Sequence, residues 1–151
     1  MYRVSYRYLR DEADSKDVLM MAFTRVFANL VNFSDRGEGS LQAWIRRIVV
    51  NESLMWLRRR NNFSLVESGE TAEVVDLNEL GVLPAEDIVR FIHALPDGYR
   101  TVFNLNVIEG YDHKEIAELL GITEGTSRSQ LSKARFALKK MLTREGYHYG
   151  T

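Results

Sequence analysis

A cluster of side chains suited to nucleic-acid chemistry lies between Thr126 and Lys133. It contains Thr126, Ser127, Arg128, Ser129, Gln130 and Lys133, followed by Arg135, Lys139, Lys140 and Arg144. Arginine addresses guanine edges in the major groove and glutamine addresses adenine, whereas lysine, serine and threonine commonly hold phosphates. A second set, Arg46, Arg47, Asn51, Arg58, Arg59 and Arg60, accompanies Trp44 and Trp56, which suits an electropositive groove with rings available for base stacking. Catalytic chemistry lacks such a set. His113 stands two residues before Glu115, so they do not share a helical face, and His93 and His148 have no companion at metal-ligand spacing. With no cysteine in the chain there is no disulfide framework and no thiolate zinc site. No enzyme, metal or cofactor is expected.

Helices must position both sets. Asp112 followed by Glu115 is a capping box, so a helix is expected to start near His113 and turn Ile116, Ala117, Leu119 and Leu120 inward. Gly121 ends it, Ile122 plugs the turn, and Thr123 caps a long helix through Leu131, Ala134, Leu138 and Met141. That is a helix-turn-helix, with Thr126 to Lys133 expected on the exposed side of its second helix. Upstream, Leu19, Ala22, Phe23, Val26, Phe27 and Leu30 form a stripe on a helix from Ser15 to Asn32. Leu41, Trp44, Ile45, Ile48 and Met55 form another on a helix from Ser40 to Arg60, which makes Trp44 a core residue first and a stacking ring second. A glycine-containing turn, Phe33 to Gly39, separates these two helices.

The net charge of −1 hides an uneven distribution. Residues 1 to 60 carry 11 basic and 7 acidic side chains, residues 61 to 89 none and 7, and residues 90 to 151 carry 9 and 7. Two basic blocks therefore flank an acidic connector. Periodicity fades from Asn61 to Leu83, apart from a short helix expected near Asp76 to Leu80, and Pro84 is expected to open the next helix. Further breaks fall at Pro96 to Gly98 and at Gly110. No segment alternates as a strand would. The fold class is all-α: two small helical domains, 1–60 and 84–151, joined by an acidic linker, 61–83. The opening residues are too polar for a signal segment, and no apolar run approaches the roughly 20 residues that span a bilayer. A cytoplasmic location without membrane insertion is the expectation.

The stretch Leu95-Pro-Asp-Gly-Tyr-Arg-Thr-Val-Phe103, the segment Ile108 to Thr126, and Arg128-Ser-Gln-Leu-Ser-Lys-Ala-Arg135 together resemble region 4 of the extracytoplasmic-function sigma factors. Tyr8 to Asn32 and Gly39 to Arg60 are similar to region 2 of the same family. The resemblance implies promoter selection as a subunit of RNA polymerase. Region 4 would read the −35 element through Thr126, Arg128, Ser129, Gln130 and Lys133 and dock on the polymerase flap. Region 2 would open the −10 element, the loop from Phe33 to Ser40 receiving a flipped base with Phe33, Ser34, Arg36 and Ser40, and Arg46, Arg47, Asn51 and Arg58 lining the following helix. Asp17, Met20, Met21, Thr24 and Arg25 fall where the family meets the polymerase clamp. Met21 is expected on the outer face near Arg25, and the apolar Met20 and Met21 suit either polymerase docking or self-association. The match enters partway through the family's first helix, so part of the next helix's stripe is expected to be uncovered.

Core RNA polymerase, promoter DNA and an anti-sigma protein are the partners so implied. A linker of about 22 residues reaches about 75 Å extended but only about 25 Å as a coil. Elements about 25 base pairs apart lie about 85 Å apart, so binding both demands an extended linker. Its acidic residues Glu67, Glu70, Glu73, Asp76 and Glu79 are expected either to screen the basic faces in the free chain or simply to be solvated. A helix-turn-helix regulator acting without polymerase, and a helical adaptor, are the competing readings.

Overall fold

The computed structural model describes residues 1–60 and 84–147 and divides the chain into two compact units, Met1–Phe63 and Ser64–Thr151. The described residues are helical, with no strand among them. The expected linker, its short helix and its acidic residues lie outside the described residues.

The amino-terminal unit is built from α1 (Tyr2–Leu9), α2 (Glu12–Asn29), a 3-10 turn (Leu30–Asn32) and α3 (Ser40–Arg59). Arg10 ends α1 in the left-handed region at φ 60°, and Asp11 caps α2 by accepting the Asp14 N–H at 2.8 Å. Glu12 and Asp14 in the first turn of α2 complement its dipole. Val4, Tyr8 and Leu9 from α1, Val18, Ala22 and Val26 from α2, and Val49, Val50, Leu54 and Leu57 from α3 are all buried. The Ser5 hydroxyl donates to the Tyr2 carbonyl at 2.9 Å within α1 and lies 3.3 Å from the Ser15 carbonyl of α2, and the Ser15 hydroxyl donates back to the Asp11 carbonyl. The carboxylate of Glu52 on α3 is buried and ion-paired with Arg25 of α2. Its burial demands such a partner.

Both stripes expected here are corrected. On α2 the buried line is Ser15, Val18, Ala22 and Val26, while Phe27 and Leu30 are exposed. Phe27 lies about 100° round from Val26, and the tighter 3-10 turn swings Leu30 further off the line. On α3, Val49, Val50, Ser53, Leu54 and Leu57 replace the expected set. Leu41 is exposed, and Trp44, Ile45, Ile48 and Met55 are half-buried. The cause is length. Twenty residues extend about 30 Å and the eight of α1 about 12 Å, so burial concentrates in the carboxy-terminal half of α3.

The carboxy-terminal unit comprises α4 (Ala85–Ala94), α5 (Asp97–Phe103) running into a π-helical turn (Asn104–Ile108), α6 (His113–Leu120) and α7 (Glu124–Arg144). Pro84 and Pro96 occupy the N-cap positions of α4 and α5 with extended backbones, so Pro84 sits one residue before the first helical position. Gly98 lies inside α5 and does not break it. Arg100 is fully buried, donates to the Leu95 carbonyl at 2.8 Å and pairs with Asp97 at 2.5 Å. One guanidinium thus fastens the α4–α5 corner. Phe91, Ile92, Val102, Phe103, Leu105, Ile116, Leu131, Ala134, Leu138 and Leu142 fill the core. Leu142, buried, takes the inward place that periodicity gave to Met141, which is half-buried. At the far end of α7, Arg90 grips both carboxylate oxygens of Glu145 at 2.8 and 2.7 Å.

Candidate nucleic-acid interface

The helix-turn-helix forms at the residues that signalled it. Asp112 accepts the Glu115 N–H at 2.8 Å and Glu115 accepts the Asp112 N–H at 2.9 Å, closing the capping box. Gly121 terminates α6 in the left-handed region at φ 65°, where a side chain would cost energy. Ile122 is half-buried in the turn, and Thr123 caps α7 by accepting the Thr126 N–H at 3.0 Å.

The expected reading face of α7 needs correction. Arg128 is exposed, in an ion pair with Glu124 at 2.7 Å, and Ser129 is half-exposed. Thr126, Ser127, Gln130 and Lys133 are buried, Gln130 at 2% and Lys133 at 8% exposure. The reason is angular: each residue advances a helix by about 100°, so consecutive positions sweep its whole circumference. Ser127 shares a line with Leu131, Ala134 and Leu138, the packing stripe. Thr126, Gln130 and Lys133 share the neighbouring line. Further along, Lys139, Lys140 and Arg144 are exposed and Arg135 is half-buried. His113 Nδ1 lies 2.8 Å from Ser127 Oγ, and burial, then Arg128 and Arg135, push the imidazole pKa below its ordinary 6.5.

In the amino-terminal unit a second surface forms around the loop before α3. Asp35 accepts the Gly37 N–H at 3.0 Å and the Ser40 hydroxyl at 2.8 Å, and Ser40 Oγ accepts the Arg36 N–H at 3.2 Å. The Ser40 and Gly37 hydrogen bonds hold the Asp35 carboxyl below the usual carboxylate range. Gly37 and Gly39, at φ 107° and 80°, supply the left-handed turns. The Phe33 and Trp44 rings meet at 5.1 Å between centroids, so Trp44 packs on the loop as well as against its helix. Ser34 and Arg36 stand exposed beside them.

Ser40, Arg47, Asn51 and Arg58 fall within about 20° of one line along α3, a strip about 27 Å long. Arg47 and Arg58 are exposed on it, and Ser40 and Asn51 half-exposed. Arg46 lies about 120° off this line and is half-buried. Trp56 is half-buried with its indole Nε1 buried, which leaves it poorly placed for stacking on a base.

A third surface follows α2. Asp17, Met20 and Thr24 are exposed on one face, and Met21 is half-buried, so Met20, at 72% exposure, is the outward methionine. Arg25 is exposed but committed to Glu52. Phe27 and, in the 3-10 turn beyond, Val31 are 70% and 90% exposed; the sequence placed Phe27 in the inward stripe and did not single out Val31. Their spacing of four, three and four from Met20 through Thr24 was the available signal. Among the described residues no group of histidines and carboxylates is disposed to hold a metal ion, and no helix is long and apolar enough to cross a membrane.

Comparison with known proteins follows the same division. Residues 1–63 match the family described as Sigma-70 region 2, and residues 85–138 match Sigma-70, region 4. The ECF RNA polymerase sigma-E factor of Haemophilus influenzae is 31% identical, across 81% of this chain and 71% of its own length. ECF RNA polymerase sigma factor SigW of Bacillus subtilis is 29% identical, across 94% and 82%. Against ECF RNA polymerase sigma factor SigE of Mycolicibacterium smegmatis the identity is 28%, and the chain spans 58% of that protein's length. Among solved structures, the sigma factor RpoE of Bartonella quintana, crystallised with the anti-sigma factor NepR, shares the fold with a TM-score of 0.60 at 20% identity, over 94% of this chain and 89% of that one.

Proposed function

This chain belongs to the extracytoplasmic-function sigma factors of the sigma-70 family, and we propose that its two helical units divide promoter selection between them on core RNA polymerase. In this reading the amino-terminal unit, 1–60, engages the −10 element and the carboxy-terminal unit, 84–151, the −35 element, with 61–83 as the connector. The observation that carries it is the pairing, in one chain, of a capped helix-turn-helix with a separate exposed strip of Ser40, Arg47, Asn51 and Arg58 beside an ordered glycine loop. A duplex reader alone needs only the first of these.

The chemistry divides accordingly. Arg128, exposed near the amino-terminal end of α7, is placed to reach base edges in a major groove, with Ser129 beside it and Lys139 and Lys140 further along for phosphates. Thr126, Ser127, Gln130 and Lys133 frame that turn, and those among them that touch DNA do so only once uncovered. The strip on α3 tracks a displaced strand. The loop of Phe33, Ser34, Arg36 and Ser40 takes an unstacked base, its backbone held by Asp35. The face of Asp17, Met20, Thr24, Phe27 and Val31 docks on polymerase through apolar contact. An anti-sigma protein covering part of these surfaces is the partner suggested by the NepR complex of the Bartonella protein. The chain acts in the cytoplasm as an initiation factor without catalytic chemistry of its own.

The test is to add the full chain to core RNA polymerase and map transcription starts on a genomic template library. Starts at shared −35 and −10 elements are expected. Duplex binding by the free chain with no such starts would overturn the proposal and leave a polymerase-independent regulator.

A further inference from the structure

The two helices of the helix-turn-helix are joined by a polar contact at a sensitive place. His113, the first residue of α6, sets its Nδ1 2.8 Å from the hydroxyl of Ser127 in the first turn of α7. Ser127 is fully buried, and a buried hydroxyl left without a partner is costly. A serine inside a helix commonly bonds back to the carbonyl four residues earlier. Here its hydroxyl contacts the neighbouring helix. The next residue is Arg128, proposed to read base edges, which is exposed and ion-paired with Glu124.

Two polar constraints therefore act on this turn, beside the packing of Leu131, Ala134 and Leu138 further along α7, and they do different things. The Thr123 side chain, accepting the Thr126 N–H, fixes where α7 begins. It does little to fix how α7 is rotated about its own axis, because a cap lies at the helix end. The His113–Ser127 contact supplies a lateral tether. A guanidinium stands about 8 Å from its helix axis, so a rotation of about 10° moves it by about 1.4 Å. That displacement is enough to take a hydrogen bond to a base edge out of range.

We propose that His113 is a positioning residue for base reading: by holding Ser127 it sets the rotation of the first turn of α7 and so the aim of Arg128. The inference rests on the reading of α7 as the −35 helix. The charged groups acting on the ring are Arg128, Arg135 and Glu124 from α7 and Asp112 from its own helix. Burial and the two arginines lower the imidazole pKa and so favour the neutral ring, which can accept a hydrogen bond from the serine hydroxyl.

The experiment uses the full chain loaded on core RNA polymerase. The probe is a duplex that wild type selects from a randomised pool, against a scrambled duplex of the same composition. His113→Ala and Ser127→Ala are each expected to lower the selected-to-scrambled affinity ratio about three- to tenfold, the scale of one hydrogen bond. The double variant is expected to fall no further, and His113→Asn to restore most of the ratio by offering a side-chain amide in place of Nδ1. Additive losses in the double variant would show two independent contacts and overturn the proposal. Equal losses on both duplexes, or lower melting temperatures with an unchanged ratio, would overturn it as well. If His113→Ala fails to fold, a folded His113→Asn that loses the ratio does the same. Failure of wild type to select any duplex would remove the −35 reading itself, and it shows before a variant is made.

Discussion

The two units present their candidate DNA-binding residues in opposite ways. On α3 of the amino-terminal unit, Arg47 and Arg58 stand exposed along a helix whose first half carries little of the core. On α7 of the carboxy-terminal unit, Thr126, Ser127, Gln130 and Lys133 are buried and Arg128 is the basic side chain left exposed in the first two turns. A helix that extends beyond its neighbours can present a long basic strip. A helix that must close a core between capped turns has only a narrow arc to offer. The same residue types in the two sets therefore meet solvent differently, as a long basic strip in one and a single exposed arginine in the other.

The sharpest way to separate the units is to unfold one at a time. Both tryptophans, Trp44 and Trp56, lie in the amino-terminal unit, so their fluorescence reports on that half while circular dichroism reports on both. Arg100→Ala removes the buried guanidinium from the Leu95 carbonyl and from Asp97 and is expected to cost about 3 kcal/mol. In urea the dichroism transition should move to lower concentration with the fluorescence transition unchanged. Movement of both would show that the units unfold together.

The next largest effect tests the difference in recognition. Arg128→Ala is expected to remove about 2 kcal/mol of discrimination between a selected and a scrambled duplex by the polymerase-bound chain. Arg47→Ala should instead weaken both alike and reduce the slope of log affinity against log salt by about 0.7, the value for a contact to a single strand. An Arg47 variant with lost discrimination and unchanged salt slope would reverse the assignment.

Gly121→Ala tests the turn. A Cβ there meets nothing within 4 Å, so the cost arises from the left-handed backbone at φ 65° alone, about 1 kcal/mol. Calorimetry of the carboxy-terminal transition measures it, and a neutral result would show that the turn relaxes.

The smallest effect is one of pH. The folded pKa of His113 lies below the ordinary 6.5, so under about pH 6.5 the unfolded chain takes up a proton that the folded unit resists. Stability of the carboxy-terminal unit should fall as pH drops through that value towards the folded pKa, then level off. His113→Asn should flatten this step. The amino-terminal unit contains no histidine, and its fluorescence transition should not share the step.

Much of this was legible in the chain itself. The capping box of Asp112 and Glu115, the left-handed Gly121 and the Thr123 cap depend on residues a few positions apart, and each formed where its spacing placed it. The glycine turn and helical periodicity placed both ends of α3 to within about a residue, and the Thr123 cap placed the start of α7, which runs on three residues past Met141 to Arg144. The two stripes on α2 and α3 did not, because periodicity identifies an apolar line without saying which of several nearby lines meets a neighbour. Phe27, Leu41 and Met20 were ambiguous until α1 and the crossing of α2 on α3 set which arc was covered.

The sequence by itself thus determined the family, the all-helical class, the helix-turn-helix with its caps and the inventory of candidate DNA-binding side chains, since these rest on local hydrogen bonding and residue chemistry. Tertiary structure decided which of those side chains meet solvent. It paired Arg25 with Glu52, set His113 against Ser127 and left Arg128 outward while burying Gln130. Exposure is a relation between segments distant in the chain, and about 100° of helical rotation separates an exposed residue from a buried one.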